Sequence, residues 1–222
     1  MPNPSYLFVE LAGEHADQCG VLSRAAEDLR RQGGEILAHA PAGRISCLEP
    51  GTVGSGILLA RWPSPGPGMS AAIRGLVAAL GQSVSAHSTP LVLEVNGLPA
   101  IGLPDMLDIP SVASVPPAPK SPRNALMVIR GSVSDQARID GYRDVILPMI
   151  KERGGYYEVF ALQPGEVTAH AGSWTEQIFA ISRWPQRGAA EDFWYSDRYQ
   201  TVAIPKRLGA GRFTVNLLDA AD

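Results

Sequence analysis

The chain has 222 residues, 45% apolar and 18% charged, with 19 Lys and Arg against 22 Asp and Glu and a formal net charge of -3, the balance of an ordinary globular protein. The lack of a basic excess argues against a nucleic-acid partner, and no apolar run approaches the roughly 20 residues that span a bilayer. The N-terminus has no charged signal-peptide head, which predicts a cytoplasmic location; Cys19 and Cys47 have neither Cys-x-x-Cys spacing nor histidine partners, which predicts buried or inert thiols rather than a disulfide or a metal site.

In chain order, residues 6–11 read as a strand and 17–32 as a helix with Leu22, Ala25, Ala26 and Leu29 on one face. Residues 35–39 and 55–62 read as strands, 69–82 as a helix and 91–95 as a strand. Next comes a stretch carrying Pro99, Pro104, Pro110, Pro116, Pro117, Pro119 and Pro122. Such proline density permits neither a ladder nor a helix and predicts an extended connector. The order of elements then repeats. Residues 125–130 read as a strand, and 135–153 as a helix with Ile139, Tyr142, Ile146, Met149 and Ile150 near helical spacing. Ser134-Asp135 is its expected N-cap, Pro148 is expected to bend it or start a new turn, and Gly154-Gly155 to end it. Residues 156–162 and 174–184 follow as strands, 189–200 as a helix and 212–218 as a last strand.

Arg61-Trp62-Pro63 recurs 122 positions later as Arg183-Trp184-Pro185, and Gly33-Gly34 recurs 121 positions later as Gly154-Gly155. Near-constant offsets argue for duplication, with one copy in residues 1–97, a linker in 98–122 and a second copy in 123–222. Each copy has the order βαββαβ, the ferredoxin-like plait of the α+β class. Helices cover one face of such a sheet. Two sheets facing each other would bury the remaining faces and enclose a cavity.

In the second copy, Asp135, Tyr142, Gly154-Gly155, Gly172-Ser173-Trp174, Arg183-Trp184-Pro185, Trp194, Ser196, Tyr199 and Arg207 resemble the domain of unknown function 1330 family over residues 124–219. In the first copy Ala72, Arg74 and Val77 stand where Trp194, Ser196 and Tyr199 would be, so that motif is lost. The resemblance implies an intramolecular dimeric α+β barrel built from two ferredoxin-like repeats. Relatives in that superfamily include cofactor-independent monooxygenases, lactone isomerases, polyketide cyclases and haem-using enzymes. A shared fold does not carry one chemistry with it.

Period-2 alternation places Ile178, Ala180, Ser182 and Trp184 under the helices and Arg183 toward the barrel. Arg61 takes the same place in the first copy, and the two guanidiniums can meet across the pseudo-twofold and steady a substrate anion. Glu10, Glu94 and Arg130 also interrupt apolar strands. For all these charges an internal salt-bridge network is the competing reading, with Arg183 and Glu94 the best candidates for chemistry. His39 and His170 are the candidate proton carriers, against a structural role for each; His15 is expected in a solvated turn. Tyr142, Tyr157, Trp174, Trp194 and Tyr199 concentrate in the second copy, either as helix-to-sheet packing or as a flat apolar pocket for an aromatic ligand. The glycine-rich residues 51–56 precede a strand rather than a helix, which argues against a phosphate loop.

The expected function is therefore a cofactor-independent enzyme of specialised metabolism. It would bind a small carbonyl-containing or aromatic substrate in the barrel and catalyse isomerisation, cyclisation or elimination. The alternatives are a cofactor-free monooxygenase and a non-catalytic small-molecule binder; a haem reading would need His39 or His170 as axial ligand. Duplication makes a pseudo-dimeric monomer possible, and a homodimer stays open.

Overall fold

A computed structural model describes residues 3–12, 18–50, 54–83, 90–99, 109–121 and 123–221. His15, His87 and residues 51–53 of the glycine-rich run lie outside them. The first half contains β1 (Ser5–Ala12), α1 (Gln18–Arg31), β2 (Glu35–Ala40), a 3-10 turn (Ala42–Arg44), β3 (Ser46–Cys47), β4 (Ser55–Trp62), α2 (Pro67–Ser83) and β5 (Leu91–Asn96). The second contains β6 (Ala125–Val133), α3 (Gln136–Glu152), β7 (Tyr156–Ala161), β8 (Val167–Ala171), β9 (Ile178–Trp184), α4 (Arg187–Trp194), a π turn (Tyr199–Ala203), α5 (Ile204–Arg207) and β10 (Gly211–Asp219).

Two antiparallel five-stranded sheets result, ordered β2-β4-β1-β5-β8 and β3-β10-β6-β9-β7. Each half lends a strand to the other. β8 adds to β5, with Glu94 opposite Thr168, and β3 adds to β10, with Cys47 opposite Asn216. These donated strands stop each sheet from ending in an open edge beside its partner. The expected strand at 174–184 divides accordingly: its regular part begins at Ile178, and the donated β8 precedes it.

The strands of β1 read as an almost unbroken apolar run because both faces are buried. Leu7, Val9 and Leu11 pack under α1 and α2, while Tyr6 and Phe8 face the other sheet. In β9, Ala180 and Trp184 join the helix-side core and Phe179 and Ile181 the inter-sheet core. Side chains from both halves fill the space between the sheets, including Phe8, Leu59, Val128 and Phe179. The cavity expected there is largely replaced by packed core, because both sheets present bulky apolar side chains at close range.

The duplicated landmarks have one physical cause. Gly33 and Gly154 turn the chain out of a helix at φ +84° and +72°, where only glycine is unstrained. The glycine after each lies against a tryptophan of the duplicated Arg-Trp-Pro. A Cβ on Gly34 would stand 2.6 Å from the Trp62 ring, and one on Gly155 2.9 Å from the Trp184 ring.

Asp135 caps α3 by accepting a hydrogen bond from the Arg138 N–H at 3.1 Å. Pro148 starts no new element: α3 continues through it. Pro148 is exposed, so water can take the carbonyl that its missing N–H leaves free. The helix expected over 189–200 stops at Trp194 and resumes as the π turn. Both cysteines are free; Cys19 is exposed rather than buried, and Cys47 Sγ lies 3.4 Å from Asn216 Oδ1. No described helix is long and apolar enough to cross a membrane.

Candidate functional site

A cavity of about 780 Å³ lies between the helix-facing side of the second sheet and α3, α4 and the π turn, a size suited to a small organic molecule. Tyr142, Tyr157, Trp174, Trp194 and Tyr199 all stand on its wall. The aromatic concentration of the second repeat is thus both packing and lining.

The Trp194-x-Ser196-x-x-Tyr199 motif builds one end. Ser196 Oγ donates to the Phe193 carbonyl at 2.8 Å and accepts from the Tyr199 N–H at 3.3 Å. This local bonding turns the chain out of α4 into the π turn, a form common where a helix places a functional side chain. Tyr199 is thereby set with its hydroxyl 2.9 Å from that of Tyr142. Burial raises the pKa of both phenols. Above them the Arg207 guanidinium lies 5.5, 5.6 and 5.0 Å from the ring centres of Tyr142, Trp194 and Phe213. Glu49, from the first half, forms an ion pair with Arg207. The first repeat thus supplies the counter-charge of an arginine that lines the cavity of the second.

Glu176, just before β9, contributes the carboxylate of this lining. Burial raises its pKa; Arg130 opposes the shift and Glu10 adds to it. Its Oε2 is closed off from water and lies 3.9 Å from Arg130 Nε. Arg143 also stands on the wall, on the apolar stripe of α3 between Ile139 and Ile146. Sequence reasoning passed over both residues. The available signals were a charge inside a sheet-facing helical stripe and a carboxylate at the entrance to a strand.

Arg183 and Arg61 meet at one end of the barrel, beside a second cavity of about 240 Å³ lined also by Tyr6, Tyr156, Glu35 and Glu158. Each arginine is paired with its own carboxylate. Arg183 Nε lies 2.5 Å from Glu158 Oε1, and Arg61 Nη2 lies 3.1 Å from Glu35 Oε2. Lys120 of the linker also pairs with Glu35. Burial works to lower the Arg183 pKa, but Glu158, through charge and hydrogen bond, together with Tyr156 and Tyr6 leaves it raised. Burial likewise works to raise Glu35, yet Lys120 and Arg61 hold its carboxyl below the usual value. Burial pushes Tyr156 up to about 12. These charges compensate one another, so the geometry at this end is that of a salt-bridge network.

The remaining candidates stand elsewhere. Glu94 is opposite Leu7 of the helix-side core, and its Oε2 lies 2.9 Å from His170 Nε2, joining β5 to the donated β8. His39 is opposite Leu58, also on the helix side of the first sheet rather than toward the barrel. Burial, with Arg30 nearby, lowers its pKa. None of these three lines either cavity. A haem held through His39 or His170 therefore does not fit the large cavity.

Residues 124–220 match the family described as Domain of unknown function (DUF1330). No curated protein matches the chain in sequence. Solved structures share its architecture. A candidate monooxygenase from Fusobacterium nucleatum aligns over 100% of this chain and 94% of its own, at 8% identity and TM-score 0.56. A variant of chlorite dismutase from Candidatus Nitrospira defluvii aligns over 100% and 93%, at 9% identity and TM-score 0.54. An anthrone oxidase-like protein aligns over 99% and 92%, at 12% identity and TM-score 0.51. The chain shares with them the ferredoxin-like dimeric α+β barrel fold, formed here from two repeats of one chain.

Proposed function

We propose that the DUF1330 half of this chain holds the active site of a small-molecule enzyme that moves a proton on a flat, carbonyl-bearing substrate, giving isomerisation, cyclisation or elimination. The observation that carries the reading is Glu176, a carboxyl group of raised pKa on the wall of a mainly apolar cavity of about 780 Å³ that is rich in aromatic residues. A carboxylate moved toward neutral pH is a better proton acceptor than an ordinary one. Glu176 takes a proton from a carbon made acidic by conjugation with the carbonyl and returns it to another position of the same molecule, so no oxidant or reductant is consumed. In the Tyr142–Tyr199 pair one hydroxyl proton is used in their mutual bond. The other is free to bond the substrate oxygen as negative charge develops there.

Anthrone, a tricyclic ketone with an acidic methylene, is a suitable probe. Under anaerobic conditions in deuterated water the protein is expected to speed deuterium entry into that methylene, and Glu176→Gln to lower the rate by about a hundredfold or more. Equal rates for the two proteins would remove Glu176 from the chemistry. A second reading is supported by what the descriptions of the Fusobacterium and anthrone oxidase-like neighbours say of those proteins. In it the same carbanion meets dioxygen, and the methylene is oxidised to a carbonyl that keeps one oxygen atom while the other leaves as water. Oxygen uptake with anthrone in air separates the two.

A further inference from the structure

A positive charge in the sheet-facing stripe of α3 is costly unless something answers it. Ile139, Ile146 and Ile150 of that stripe are buried, and Arg143 stands among them on the wall of the large cavity with its side chain 12% exposed. Its Nη1 donates to Asp140 at 3.2 Å, and its guanidinium lies 5.8 Å from the centre of the Phe160 ring. The Nε and Nη2 groups are closed off from water and meet no acceptor among the described residues. These two groups share one edge of the guanidinium, the edge whose parallel N–H bonds match the two oxygens of a carboxylate.

The other arginines near the cavities are answered within the protein. Arg207 has Glu49, Arg130 has Glu10, Arg183 has Glu158 and Arg61 has Glu35. Arg143 has a full edge unused, on a wall that includes the aromatic residues Tyr157, Phe160 and Trp174. We infer that Arg143 is a specificity determinant: the molecule that fills this cavity is an aromatic or similarly flat apolar acid, and its carboxylate bridges Arg143 Nε and Nη2. This rests on the cavity being the substrate site and adds the chemical class of the substrate. Nε and Nη2 are closed off from water in the unliganded protein, so the guanidinium must turn on its stem toward the cavity when the acid binds.

The test compares 2-naphthoate with 2-naphthamide, which has the same ring and no charge, by titration calorimetry. The intact protein is expected to bind the acid about tenfold or more tightly than the amide. In Arg143→Leu that preference is expected to vanish, the acid losing more affinity than the amide. Arg143→Lys should retain part of the preference, since it keeps the charge and loses the fork. The unliganded Arg143→Leu protein should melt at the same or a higher temperature, because it buries no unanswered donors. Equal binding of acid and amide by the intact protein, or a preference that survives Arg143→Leu, overturns the inference and leaves the cavity as a binding site. Failure of both compounds to bind at millimolar concentration removes the cavity reading, and this inference with it.

Discussion

Glu10 and Arg130 occupy equivalent places in the two repeats and pair with each other between the sheets. Glu10 stands opposite Ile57, Arg130 stands opposite Phe179, and those partners are related as the two Arg-Trp-Pro motifs are. Arg130 Nη1 lies 2.8 Å from Glu10 Oε2, and Nη2 lies 3.0 Å from Oε1. A barrel made from two first repeats would set Glu10 against Glu10, and one from two second repeats Arg130 against Arg130. The pair thus favours union of unlike repeats by penalising like ones.

Breaking this pair from one side should be costly. Both side chains are nearly buried, 12% exposed for Glu10 and 11% for Arg130. Arg130→Met is expected to destabilise the protein by about 3–5 kcal/mol in urea unfolding, since it strands a carboxylate. Adding Glu10→Gln should restore much of that loss. A double variant as unstable as the single one would show that the charge pairing is not the source of the effect.

Glu176 should make stability depend on pH in a definite direction. Its folded-state pKa is raised from 4.5 by burial, with Glu10 adding and Arg130 opposing. Its contribution is therefore fully present below the unfolded value and is lost as pH rises through the folded one. Glu176→Gln titrates nowhere. The stability of the natural protein relative to this variant should fall from pH 4 upward until Glu176 is ionised, then level off. A difference independent of pH would contradict the raised pKa.

The Tyr142–Tyr199 contact predicts coupling between two substitutions. Tyr199→Phe leaves the Tyr142 hydroxyl without its 2.9 Å partner, and Tyr142→Phe does the reverse. Each should cost about 1–2 kcal/mol, and the double variant less than the sum of the two. Additive losses in a thermal-unfolding cycle would mean that the hydroxyls do not depend on each other.

Arg183 should matter for stability more than for ligand binding. Its side chain is 14% exposed and that of Glu158 is 6% exposed, so Arg183→Met leaves a buried carboxylate unpaired and should cost about 3–5 kcal/mol. Naphthamide binding in the large cavity, which Arg183 does not line, should change less than about twofold at temperatures where the variant is folded. A large loss of binding with retained fold would return Arg183 to the active site.

Much of the fold was legible because its causes are local. Apolar runs bounded by glycine and proline mark the strands, and the glycine pairs and Arg-Trp-Pro repeats mark the duplication. The short donated strands Ser46–Cys47 and Val167–Ala171 escaped notice. β3 is two residues long, β8 has no buried residue, and each forms only because a strand of the other half lies ready to pair. The cavity aromatics were legible as a group. The roles of Arg143 and Glu176 were not, because a charge reveals its function only when its neighbours are known.

By itself the amino-acid order determined a duplicated α+β chain with alternating strand faces, the glycine turns that end α1 and α3, and the place of the aromatic residues in the second repeat. These depend on backbone sterics and on periodicity, which act within a few residues. Only the tertiary structure decided which charges answer which. It paired Arg183 with Glu158, Arg61 with Glu35 and Glu10 with Arg130, filled the space between the sheets and opened the cavity under α3. Electrostatic partnership and empty volume depend on distances between segments remote in sequence, and folding sets those distances.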